Sequence, residues 1–377
     1  MFAILRCNRS ELSGLEHSGM LTIGDENDIE VNSLVPDPRG GFLLGASSRR
    51  HQRAEVLIQK YDEDFKLEWE QTIGDGEAAK LLYAFLDRDY NTLVVNLTLG
   101  YNADTVSLQQ HKFWRPVAYL LNPQGEIVWE KMLVKSLSAY YKSGSYEKVT
   151  DMVQDENGDY LLCGDFYSST STENGPKFFK LIPEFDRMLV YDPPFNRAGA
   201  AQAIYPSDGQ YVSFNYWRDS SNALNKTASI GRLFPLGAPT MLDRIDLPWP
   251  WDQFNNGSIG QVKLTHRDGT YSFNYVFESE VYRYRFNRKV DQLTEESVPI
   301  NCPGLIKVVR TFDEHLILLY DDGRVEEVDE DFVVLNSFTT DVVANHIIKN
   351  YHGDYICSVQ RDKVVYVMKL NSKGVLQ

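Results

Sequence analysis

The residues best equipped for recognition chemistry are bunched in a few polar stretches. His111-Lys-Phe113-Trp114-Arg115 combines an imidazole, two aromatic rings and a guanidinium. Tyr140 and Tyr141, Phe195 and Arg197, Trp217 and Arg218, and Trp249, Trp251 and Phe254 repeat the theme. Four of the six tryptophans fall in these stretches. Tyr, Trp and Arg supply large, rigid contact area with a polar handle, the composition of binding hot spots. Beside Asn, Asp and Arg the same rings also suit sugars or an extended peptide.

Residues that could do covalent or metal chemistry are scattered. The seven histidines show no metal-binding or helical His-Glu spacing. Cys7, Cys163, Cys302 and Cys357 also lack metal spacing, and Cys163 and Cys357 lie in apolar runs that read as buried free thiols. His111 with Arg115 and Asp104 is a conceivable acid/base set, but no second carboxylate can be placed opposite it. Such an enzyme would need a deep central carboxylate within reach of His111 or Arg218. Asp155-Glu-Asn-Gly-Asp159 faintly resembles a calcium loop, yet it reads better as a turn. No Gly-rich phosphate loop or Gly-x-Ser-x-Gly elbow occurs. No catalytic residue, metal or cofactor is therefore assigned.

Composition narrows the partners. The 377 residues include 22 Tyr, 19 Phe and 6 Trp, far too many aromatics for a disordered chain. With 38 basic and 53 acidic residues the net charge is −15, which argues against a nucleic-acid backbone as partner. No run approaches the ~20 apolar residues of a membrane span. The start, Met1-Phe-Ala-Ile-Leu-Arg-Cys7, lacks the form of a signal peptide. As written it favours the cytoplasm, and removal of a leader would instead mean export.

The elements that must position these stretches are β-strands. A tight turn followed by an apolar run recurs near residues 41, 90, 158, 209, 269, 314 and 353, for example Asn157-Gly158-Asp-Tyr160-Leu-Leu. Asn-Gly and Asp-Gly flanked by apolar runs are strong hairpin signals. A second pair of strands follows each hairpin. Val56–Tyr61 leads into Asp62 and Trp69, and Ala118–Leu121 into Asn122 and Trp129 at the same spacing. Each unit thus reads as four alternating strands, a to d, of about 54 residues. Seven such units make an all-β, seven-bladed β-propeller of four-stranded antiparallel blades. The expectation is a single domain over residues 1–377, closed by an N-terminal strand in the last blade, with eight blades as the variant.

The paired motifs resemble a large class of bacterial β-propeller repeats, related to quinoprotein and tryptophan–aspartate-repeat propellers. Residues 30–74 and 148–182 carry the resemblance most strongly. It implies a fold and says little about function. Quinoprotein enzymes carry a docking Trp in most blades, whereas here only Trp69 and Trp129 stand at that place, which gives no support for a quinone cofactor.

In a propeller the b–c and d–a connections share one face. The long insertions, 98–116, 134–148, 167–177, 191–199, 216–226 and 248–257, are all of these kinds and belong to units two to four or their junctions. They hold the aromatic stretches above. The sequence therefore predicts a non-enzymatic interaction module binding a protein or peptide partner through aromatic-rich loops of blades two to four. A glycan-binding or glycan-cleaving propeller using the same face is the alternative.

Overall fold

The computed structural model describes residues 20–23, 28–50, 53–74, 79–103, 110–133, 148–166, 175–191, 197–207, 210–219, 226–234, 240–246, 262–267, 270–277, 280–287, 292–296, 300–361 and 364–377. Among them the architecture is all-β, built of antiparallel sheets that follow chain order in all but the last.

Sheet one comprises Asp28–Pro36, Phe42–Arg50, Arg53–Tyr61 and Leu67–Ile73. Sheet two comprises Ala79–Leu86, Thr92–Ala103, Gln110–Leu121 and Ile127–Met132. Sheet three follows with Lys148–Gln154, Tyr160–Phe166, Gly175–Ile182 and Arg187–Tyr191, and sheet four with Arg197–Ser207, Gln210–Asp219, Lys226–Phe234 and Thr240–Asp246. Sheet five holds Val262–Arg267, Thr270–Phe277, Glu280–Asn287 and Gln292–Glu296, and Ile300–Asn301 adds a short second piece beside Glu280–Asn287. Sheet six is Leu305–Arg310, Leu316–Tyr320, Arg324–Val328 and Val334–Thr339. The last sheet holds His346–Lys349, Tyr355–Arg361 and Val364–Leu370. Its outer place is taken by Met20–Ile23, in the register Met20↔Met368 to Ile23↔Val365.

Alternation along the strands places one set of side chains between neighbouring sheets. Leu43, Val56 and Ile58 of sheet one pack with Leu81, Val94 and Tyr119 of sheet two. Leu93 and Leu120 join Met152, Leu162 and Phe179 across the next seam. Val153, Leu161 and Phe178 meet Ile204, and Tyr205 meets Tyr271 edge-on at 5.9 Å. Val281 joins the core of sheet six, and Ile317 and Leu319 join Ile347 and Tyr355 of the last sheet. Ile348, Ile356 and Val367 of that sheet share a core with Ile29, Val31 and Phe42 of sheet one.

One turn chemistry serves both ends of the a–b and c–d pairs. Asp155 accepts the Asn157 and Asp159 amides on Oδ1, and the Gly158 amide bonds its carbonyl. Asp87, Asn122 and Asn350 do the same. These are three-residue hairpin loops whose left-handed position suits glycine, as at Gly158, Gly353, Gly125 and Gly374. The repeats near 90 and 314, which lack glycine at the turn, put Tyr90 and Glu314 there, at φ 65° and 64°.

The d-strand aromatics dock on the c–d turn of the next sheet. A Cβ on Gly125 would lie 2.6 Å from the Trp69 ring, and one on Gly374 would lie 2.4 Å from Phe338. Trp129 completes the series by donating its Nε1–H to Asp186 at 3.1 Å. Gly353, by contrast, has open space around it. Gly353→Ala should therefore cost about 1 kcal/mol of backbone strain alone. Gly125→Ala adds a clash with an indole and should cost about 2–3 kcal/mol in all. Denaturant midpoints of the two variants measure the difference.

Candidate functional site

Four of the predicted recognition residues, His111, Phe113, Trp114 and Arg115, lie in the strand Gln110–Leu121. Strand a of sheet two stops pairing at Ala79↔Thr98, and strand d at Val117↔Met132. The b–c ladder runs on through Leu99↔Trp114, Gly100↔Phe113 and Asn102↔His111 to Ala103↔Gln110. Among the described residues, His111, Phe113 and Trp114 thus sit on a two-stranded ribbon that projects past the four-stranded part of the sheet, and Arg115 stands at its base opposite Thr98. The loop expected over 98–116 is corrected to this ribbon. The run His111-Lys-Phe-Trp-Arg-Pro-Val-Ala-Tyr119 continues a strand-like sequence outward, so the ladder extends until 104–109.

Trp217 and Arg218 likewise belong to a strand, Gln210–Asp219, and not to a loop. Arg218 pairs with Ala198 and Lys226, one rung from Arg197↔Asp219, so the structure brings the Arg197 and Arg218 backbones to one end of sheet four. Tyr140, Tyr141, Phe195, Trp249, Trp251 and Phe254 lie outside the described residues. Asp104 of the conceivable acid/base set does too.

The titratable clusters among the described residues are saturated internally. Asp155 and Asp159, the faint calcium loop, accept from Lys180 at 3.2 and 2.8 Å. Asp37 accepts from buried Lys60 and from Arg39. Burial by itself would raise the Asp37 carboxyl, but the hydrogen bonds from Arg39 and Lys60 outweigh it and hold it below the ordinary range. Asp313, His315 and Glu327 converge as metal ligands would. Lys349 sits among them, however, 2.9 Å from Asp313 and 2.7 Å from Glu327, and supplies the positive charge itself. The innermost strands bring Tyr83, Asp151, Tyr205 and Arg310 close together. Asp151 accepts from the Tyr83 hydroxyl and from the Met152 and Ile204 amides, the pattern of a structural carboxylate. Cys163 and Cys357 are buried free thiols, as expected, and so is Cys302.

A cleft of about 320 Å³ opens between the last sheet and sheet one, lined by Glu30, Val31, Asn345, His346, Ser358, Gln360 and Val365. Gln360 donates to the Ile29 carbonyl at 3.2 Å across it. His346 Nδ1 accepts from Lys307 Nζ at 3.0 Å. Burial, with the Lys307 charge beside it, pushes the imidazole down to about 4. Nothing in the sequence pointed here, because the cleft is made by the two ends of the chain meeting.

No family model and no curated protein matches this chain. Among solved structures it is similar to BamB from Moraxella catarrhalis, at 10% identity and TM-score 0.45, over 93% of this chain and 100% of that one. It is also similar to BBS1N, solved in complex with ARL6DN, at 10% identity and TM-score 0.49, over 94% and 99% of the two chains. A third similar structure is a protein of unknown function from Bacteroides caccae, at 13% identity and TM-score 0.40, over 69% and 88%. Four-stranded antiparallel units, packed face to face with repeated turn chemistry, define the chain as a β-propeller repeat protein. No helix among the described residues is long and apolar enough to cross a membrane.

Proposed function

We propose that residues 1–377 form one domain, a closed seven-bladed propeller, and that it binds a protein or peptide partner without catalysing a reaction. Support for the ring comes from the cores shared by successive sheets, the last and first included. Support for closure comes from Met20–Ile23, which covers the outer edge of Val364–Leu370. The binding surface in this reading is the face bearing the b–c connections of blades two to four.

The observation that carries the reading is the projecting ribbon of blade two. Among the described residues, the backbone pairing of this extension runs on without a third strand beside it. Placing an imidazole and two aromatic residues on it, with an arginine at its base, makes sense for contact with a partner. Trp114→Ala and Trp217→Ala should each weaken partner capture at least tenfold, the scale of a hot-spot residue. Melting temperatures should stay within about 2 °C of the parent, since a surface contact contributes little to stability. Affinity capture beside a thermal melt reads both, and a fall in melting temperature without loss of capture would count against the proposal.

A further inference from the structure

The cleft between the last sheet and sheet one carries an inference that goes beyond partner binding and uses none of the aromatic stretches. Its floor holds the Ser358 hydroxyl. That residue is 1% exposed, and its Oγ has no hydrogen-bond partner among the described residues. Ser358 stands at the register place that Gly45 holds in sheet one, since Ser33↔Gly45 and His346↔Ser358 both pair strand b with strand a. At Gly45 the next sheet fills the space, because a Cβ there would lie 2.4 Å from Leu81. Ser358 instead lines the cleft, together with Glu30, Asn345, His346 and Gln360 and the apolar Val31 and Val365. A buried hydroxyl left unpaired is costly, and a ligand that bonds it would remove that cost.

The charges around the cleft select the ligand. Glu30 is exposed at the mouth, and among the described residues the Asn32 amide, at 3.3 Å, is its partner. Its carboxylate repels an anion and accepts strong hydrogen bonds from hydroxyl groups. The Lys307 ammonium lies directly behind His346, at 3.0 Å, and repels a cation. His346 itself stays uncharged, bonded on one side by Lys307 and on the other to the Val31 backbone. The Gln360 amide NH₂ and the Asn345 side-chain oxygen are engaged, by Ile29 and by the Gln360 amide respectively. Both residues are exposed on the lining of the cleft. The volume, about 320 Å³, is at the small end for ligand sites. We propose that this cleft binds a small, uncharged, polyhydroxylated ligand of monosaccharide size, with Ser358 and Glu30 bonding its hydroxyls.

The test is saturation-transfer NMR on the full chain with glucose, galactose and N-acetylglucosamine as neutral probes, and glucosamine and glucuronate as charged ones. At least one neutral probe should show transfer and bind in the millimolar range. Glucosamine and glucuronate should bind more weakly than it does. Ser358→Val should weaken the neutral probe about tenfold, the effect of losing one buried hydrogen bond. Glu30→Gln, at the exposed mouth, should weaken it too and serves as the readout if Ser358→Val does not fold. Silence from all three neutral sugars, unchanged binding in the folded variants, or tighter binding of a charged probe would each overturn the assignment. Capture of a protein partner is measured separately, so either proposal can fail alone.

Discussion

Replacing Lys60 by methionine should destabilise the protein by about 3–4 kcal/mol, the cost of leaving a buried carboxylate without its cation. The Lys60 side chain is 2% exposed and its partner Asp37 is 3% exposed. Asp37 would keep Arg39, but that side chain is 46% exposed and well solvated. Asp37 also forms the a–b turn of sheet one, where its Oδ1 accepts the Arg39 amide at 2.9 Å. The ion pair therefore ties strand c to the turn that starts strand b. Sheet three repeats the device with Lys180 on Asp155 and Asp159. Sheet two shows that it can be replaced. There Leu120 takes the register place of Lys60 and Lys180, opposite Leu93, and Asp87 is bonded by the Tyr160 hydroxyl of sheet three instead. The double variant Lys60→Met with Asp37→Asn should recover most of the loss, because it removes the stranded charge. Denaturant melts of the single and double variants check this, and a single variant within about 0.5 kcal/mol of the parent would refute it.

The second large effect is a loss of stability between pH 7.5 and 4.5 that depends on His346. Its folded value is about 4 against an ordinary 6.5. The unfolded chain thus takes up a proton at a pH where the folded chain does not. Stability is complete above the ordinary value and falls as the pH drops from there toward the folded value. The loss over this window should be about 2–3 kcal/mol by proton linkage. In His346→Gln the amide oxygen can still accept from Lys307, while no group titrates. Paired denaturant melts at the two pH values should show the parent losing about 2–3 kcal/mol more than the variant. Equal losses in both would mean that the folded imidazole is protonated normally. Below this range a second decline is expected from Asp313 and Glu327. For both, burial raises the carboxyl, but hydrogen bonds from Thr311 and Lys349, and from Lys349, Tyr355 and His315, prevail and lower it. Their contribution is present above the ordinary carboxylate range and disappears as they protonate.

Much of the framework is legible in the chain because turns leave local marks. Asp155-Glu-Asn-Gly158 and Asn350-Tyr-His-Gly353 state the capping residue and the left-handed residue outright. Tyr90 and Glu314 occupy that place without being glycine, and they are found only through the spacing of their neighbours. The buried lysines are illegible. Gln59-Lys60 reads as the solvated end of a strand, and its partner Asp37 lies far upstream at another turn. The ribbon of sheet two misleads for the opposite reason. Gly100, Asn102 and Asp104 suggest a loop, yet pairing continues as far as Ala103↔Gln110. The cleft was invisible because a lone His346 and a lone Ser358 acquire meaning only when residues 30 and 31 are brought beside them. That juxtaposition is a property of the ring and has no local signature.

The claim that most needs testing is that the b–c face of blades two to four is where a partner binds. The direct measurement is affinity capture from the native source with the parent chain, Trp114→Ala and Trp217→Ala, each accompanied by a thermal melt. The account predicts that the parent retains a defined protein that both variants lose, with melting temperatures unchanged within about 2 °C. Retention of the same proteins by all three chains, or a drop of several degrees in both variants, would contradict it.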